Sequence, residues 1–82
     1  MKPGDLYFLN TKYGLGFDSS KEKLHSDSNY EHTLKMGDFA FVIEENFNSE
    51  AMDEVKVLTR FGVLWTFTSE LARVGVLQDE AG

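Results

Sequence analysis

Two histidines, His25 and His32, share a polar stretch with Asp27 and Glu31, residue types that together hold a borderline metal such as zinc. Local ligand sets use short recurring spacings, and the seven-residue step from His25 to His32 is not one of them. The same histidines stand among Ser19, Ser20, Ser26 and Ser28, which supply both halves of a nucleophile-and-base pair. Such a pair works only where a rigid frame holds hydroxyl against imidazole, and this stretch sustains neither helix nor strand periodicity. Carboxylates are plentiful at Glu44, Glu45, Glu50, Asp53 and Glu54, but no apolar pocket surrounds them to raise a pKa for general acid work. Gly14-Leu15-Gly16 lacks the lysine and the following helix of a phosphate loop. No catalytic residue, metal or cofactor is therefore expected, and the chain reads as a binder rather than an enzyme.

Size sharpens that expectation. The 82 residues fit one domain, 1–82, with a single core. Ordering each residue costs about 1.5 kcal/mol, so the core needs a high density of large apolar side chains. Seven Phe, three Tyr and one Trp supply it, each burying about 150–250 Å². Little remains to wall a deep substrate cleft. The chain has no Cys, which excludes disulfides and thiolate metal sites and points to a reducing, cytoplasmic setting. Met1-Lys2-Pro3-Gly4-Asp5 has no apolar run behind its charge, so it does not read as a signal peptide. No stretch approaches the ~18 apolar residues of a membrane span.

The net charge of −6 argues against direct nucleic-acid binding, which needs bases to meet phosphates. The imbalance lies in residues 44–82, where eight acids face only Lys56, Arg60 and Arg73. The run Glu44, Glu45, Glu50, Asp53 and Glu54 contains no base. It is either a solvated loop or a surface that attracts a basic partner.

The elements that would position these groups are short. Residues 6–9 form an apolar and aromatic run after a Pro-Gly turn, too short for a helix. Residues 10–33 are too long for a structureless loop in a compact domain, and a folded-back ribbon with arms at 12–17 and 30–34 resolves this. Residues 39–43 are the strongest strand, ended by Glu44-Glu45-Asn46, after which 44–54 form an acidic connection. Residues 55–59 and 63–68 make a hairpin about Arg60-Phe61-Gly62. Residues 69–73 make one helical turn capped by Thr68 or Ser69, 74–77 a last strand and 78–82 a frayed tail.

Leu34-Lys35-Met36-Gly37-Asp38-Phe39-Ala40-Phe41-Val42-Ile43 resembles the segment of SH3-like barrels in which a Gly-Asp turn feeds the second strand. Gly62-Val63-Leu64-Trp65, then Ser69-Glu70-Leu71 and Val74, resembles that family's last hairpin strand, helical turn and closing strand. The resemblance implies an all-β, SH3-like small barrel of about five strands. It makes 10–33 an RT-type loop, 44–54 an n-Src-type loop and 60–62 the distal turn, with one short helical turn. Proline-peptide-binding members open the third strand with a Trp pair and place a Pro and a Tyr by the final helical turn. Asp53-Glu54-Val55 and Phe67-Thr68-Ser69-Glu70 stand there instead, so ordinary proline-peptide recognition is not expected. The chain's style is also similar to small accessory proteins of large bacteriophages, which implies a modulator of a host protein.

Strand alternation puts Phe39, Phe41 and Ile43 on one face and Ala40 and Val42 on the other. It likewise groups Val63, Trp65 and Phe67, and Trp65 is expected to anchor the hairpin against Val55 or Val57. The resemblance would turn Ala40 and Val42 inward, leaving Phe39 and Phe41 as an interface unless the long loop covers them. The candidate partner-binding residues are therefore Phe39, Phe41, Trp65, Phe67, Glu44, Glu45, Glu50, Asp53 and Glu54. The expected function is a non-enzymatic protein–protein interaction module with a protein partner, a basic one if the acids take part. The alternatives are an acidic DNA mimic or nucleic-acid-associated protein, and a self-assembling subunit.

Overall fold

The computed structural model of the chain describes residues 1–26, 29–48 and 52–78. Its elements run β1 (Leu6–Leu9), β2 (Leu15–Phe17), α1 (Lys21–Leu24), β3 (His32–Leu34), β4 (Phe39–Asn46), β5 (Glu54–Thr59), β6 (Gly62–Phe67), α2 (Thr68–Val74) and β7 (Gly75–Leu77). Five strands form an antiparallel sheet in the order β6-β5-β4-β1-β7, and β2 pairs with β3 as a separate hairpin. The fold is mostly β. Among the described residues no pairing joins β6 to β7, so hydrogen bonding does not close the sheet into a barrel.

The centre of the sheet is β4, whose Ala40 and Val42 are 0% exposed. They stand opposite Tyr7 of β1 and Val57 of β5. These small side chains leave room on the inner face, and the β2–β3 hairpin fills it with Leu15, Phe17 and Leu34. From the other side α2 contributes Leu71 and Val74. The hairpin is also tied to the β6 edge. Asp18 and Trp65 exchange backbone hydrogen bonds at 3.0 and 2.7 Å, and Thr66 Oγ1 donates to the Gly16 carbonyl at 2.9 Å. Gly16 is required there, because a Cβ would run into the Tyr30 ring.

Several boundaries differ from the sequence reading. The strand that begins at Phe39 continues through Glu44, Glu45 and Asn46, with a register shift between Val42 and Glu44. Cross-strand pairing with Lys56, Val55 and Glu54 keeps these polar residues in the ladder, so the connection shortens to residues 47–53. The ribbon expected in 10–33 is present but carries α1, which the sequence reading missed. Ser20 is its N-cap, accepting from Lys23 N–H at 3.3 Å, so two short helices replace the single turn. In α2 neither Thr68 nor Ser69 caps: the N-cap is Phe67, without a side-chain bond, and Thr68 N–H donates to the Asp53 carbonyl. Gln78, assigned to the tail, donates to the Leu6 carbonyl at 2.7 Å, and residues 79–82 lie outside the described residues. No helix among the described residues is long and apolar enough to cross a membrane.

Since Phe17 is fully buried between hairpin and sheet, Phe17→Ala should destabilise by about 3–5 kcal/mol. That is a large share of the ~5–15 kcal/mol that holds a domain together. A urea midpoint equal to the parent's would mean that the hairpin is not part of the cooperative core.

Candidate functional site

The inner face of the sheet is filled, so the residues left for recognition are those that strand alternation sends to the outer face. The ladder arranges them in rows. Val76, Phe8 and Phe39 stand side by side across β7, β1 and β4. Leu6, Phe41, Leu58 and Val63 follow across β1, β4, β5 and β6. Next come Glu44, Lys56 and Trp65, then Asn46, Glu54 and Phe67.

The last two rows are largely covered on the β5–β6 side, because α1 packs on β6 with Leu24 buried. Trp65 is only 9% exposed. It is buried as expected of a hairpin anchor, but on the outer face opposite Lys56, whereas Val55 and Val57 face inward. The Lys21 and Lys56 ammonium groups lie 5.3 and 6.0 Å from its ring centroid. Segment 18–31 is fastened at its neck, where Glu31 N–H donates to Asp18 Oδ1 and Glu31 Oε1 receives Ser19 Oγ and Lys23 Nζ.

Under α1 lies a buried carboxylate. Glu54 is 2% exposed, receives Asn46 Nδ2–H at 2.6 Å through Oε1, and accepts from His25 Nε2 through Oε2. The His25 ring meets Phe67 edge-on at 5.1 Å. Burial works to raise the Glu54 pKa, but the hydrogen bonds from Asn46 and His25, the charge on His25 and a further bond from Asn48 outweigh it. The carboxyl therefore sits below its usual 4.5. Lys21, Glu22, His25, Asn46, Asn48 and Glu54 line a shallow pocket of about 190 Å³ there. A carboxylate orienting an imidazole is one half of a hydrolytic triad. His32 is elsewhere, stacked on Phe61 at 4.6 Å. Among the described residues no three His, Asp or Glu side chains are grouped to hold a metal, and Asp27 lies outside them.

The first two rows are open except at Leu6 and Phe39, which are half-buried. Phe41 is 39% exposed, Val63 44% and Val76 54%, and Phe8 and Leu58 are similar. Of the aromatic candidates, then, Phe39 and Phe41 belong to an open apolar stripe and Trp65 and Phe67 to a covered one. The long loop covers the second pair and not the first.

The acidic candidates separate. Glu44 faces outward beside Phe41's row, while Glu45 stands opposite the inward-facing Val55. Asp53 Oδ1 accepts from Asn48 N–H within the connection, Glu54 is under α1, and Glu50 lies outside the described residues. The stripe also contains Phe8, Leu58, Val63 and Val76, which the sequence reading missed. Their signal was available in the alternation of 6–9 and 55–59, but it needs the register to show that they adjoin. Comparison with models of known families, with curated proteins and with solved structures finds no match to this chain.

Because folding lowers the Glu54 pKa, its linked stabilisation is present above the unfolded value and is lost as pH falls through the folded one. Glu54→Gln cannot titrate. It should be less stable than the parent at neutral pH and lose less of what remains between about pH 5 and pH 2. Urea midpoints read from the single tryptophan, beside the cluster, test this. Parallel acid loss in both proteins would remove Glu54 from the linkage.

Proposed function

We propose that this chain is a non-enzymatic protein-interaction module of SH3-like layout that docks a protein partner on the outer face of its sheet. The observation that carries the reading is the open stripe of apolar side chains across all five strands. The largest contiguous apolar patch on a soluble monomer is often a functional one, and a polar residue at Phe41 or Leu58 would serve the core equally well. The SH3-like layout is supported by the strand order β7-β1-β4-β5-β6. A hairpin excursion separates β1 from β4, a tight turn joins β5 to β6, and a short helix precedes β7. Gly62, at a φ of 101°, gives that turn the left-handed residue it needs.

The net charge of −6 favours a basic partner at the encounter stage. An acidic mimic of nucleic acid would need its carboxylates ranked on one face, and Glu44, Glu45, Asp53 and Glu54 stand apart.

The experiment immobilises the parent, Phe41→Ser and Glu44→Gln and exposes each to lysate of the native cell. Phe41→Ser gives up the packing of the buried part of its ring, so it is compared only after a melting curve shows it folded; it should then lose retained proteins by about tenfold or more, equivalent to ~1.4 kcal/mol. Glu44→Gln should slow association at low salt and match the parent at high salt. Identical retention by parent and Phe41→Ser would refute the stripe as the docking surface.

A further inference from the structure

The dimensions of the stripe and the way α1 covers its neighbour narrow the kind of partner. Five strands at about 4.8 Å spacing make the stripe roughly 19 Å long, and two rows of alternate residues make it about 10–15 Å wide. Its projected footprint is on the order of 200–300 Å². Even doubled for side-chain relief, this falls short of the ~800 Å² that each partner of a stable dimer contributes. A helix is about 10 Å across and rises ~1.5 Å per residue, so one of about 13 residues laid across the strands matches the stripe in both directions.

The covered half already holds one helical turn, the four residues of α1. On it α1 buries Leu24, sets the Lys21 ammonium over Trp65 and directs His25 to a carboxylate. An apolar anchor flanked by a lysine is thus already matched to this sheet once, within the chain. At the border of the open half the charges are unequal. Arg60 is held by Asp38 at 3.0 Å and lies over the Phe61 ring, whereas Glu44 makes no ion pair among the described residues. The border therefore offers a carboxylate without a close ion pair, with Lys56 opposite it in the ladder, and the whole chain carries −6.

We propose that the open half of the outer face takes a single amphipathic helix of the partner, laid across the strands. Its apolar side covers Phe8, Phe39, Phe41, Leu58, Val63 and Val76, and a Lys or Arg meets Glu44. This rests on the interaction-module reading and specifies its ligand.

The test titrates the full chain with two peptides of ~14 residues, both with leucines on one helical face, the remaining positions Lys in one and Glu in the other. Backbone amide spectra locate the contact. The Leu/Lys peptide should shift amides of β1, β4 and β5 around the stripe, while the Leu/Glu peptide leaves them in place. Phe41→Ser and Leu58→Ser, each with a dispersed spectrum that confirms folding, should weaken the Leu/Lys peptide about tenfold or more, and Glu44→Gln should weaken it less. Equal action of both peptides, shifts confined to other surfaces, affinity untouched by both serine variants, or no binding would each overturn the proposal. So would a dimer in sedimentation that Phe41→Ser dissociates, since a second copy would then be the occupant. Phe41-dependent retention of lysate proteins together with failure of the Leu/Lys peptide would sink the helix and leave the interaction module standing. Failure of both would remove both.

Discussion

The structure depends on a constraint at the centre of β4: a strand can bury only every second side chain, and here the buried ones are Ala40 and Val42. Two small residues at its centre leave the inner side unfilled between Tyr7 and Leu9 on one side and Val55, Val57 and Leu64 on the other. The missing volume comes from the hairpin, through Leu15, Phe17 and Leu34, and from α2 through Leu71 and Val74. This makes the excursion between β1 and β4 a structural part of the domain. The same alternation forces Phe39 and Phe41 outward. Nothing in the core demands large apolar groups there, so their presence on the outer face is a property of that surface.

The division of the outer face into covered and open halves is set by polar chemistry. Burying a carboxylate is costly unless its oxygens are satisfied. Glu54 is satisfied by Asn46 from β4 and His25 from the end of α1. Hydrogen bonds are directional, so this requirement fixes where α1 lies more sharply than Leu24 alone could. The helix therefore stops at the row of Glu44, Lys56 and Trp65. Beyond it the chain has no further segment on the sheet among the described residues, and the apolar rows begin.

The sequence made strand existence legible and side-chain roles much less so. The runs at 6–9, 39–43 and 55–59 carry strong β-propensity, and all three are strands. The glycines of the 36–38 and 60–62 turns also lie where the chain reverses. Ser19-Ser20 ahead of Lys21-Glu22-Lys23-Leu24 is a helix-start signal, but four residues are too few to hold a helix without tertiary support. The acidic run was the least legible feature. Read as a string it is one patch. Alternation and the register shift after Val42 send Glu44 and Glu45 to opposite faces, and α1 then covers Glu54. A local charge count cannot anticipate that, because it depends on a contact 29 residues away in sequence, from His25 to Glu54.

Dispersed acids change what charge can do for recognition. A single cluster would form a local ion-pairing site, whose energy depends on close approach and on desolvation. Carboxylates spread over several faces instead produce a field around the whole molecule, which falls off over a Debye length of about 8–10 Å at physiological salt. Such a field raises encounter rates with a basic partner but does little to hold it once docked. Retention then falls to the contacts that exclude water, and on the outer face those are the apolar rows. Charge and stripe thus act at different stages of one event. Glu44 is the place where they meet: it is the carboxylate that borders Phe41's row without an ion pair among the described residues, so it can both draw a cation in and fix its position against the sheet.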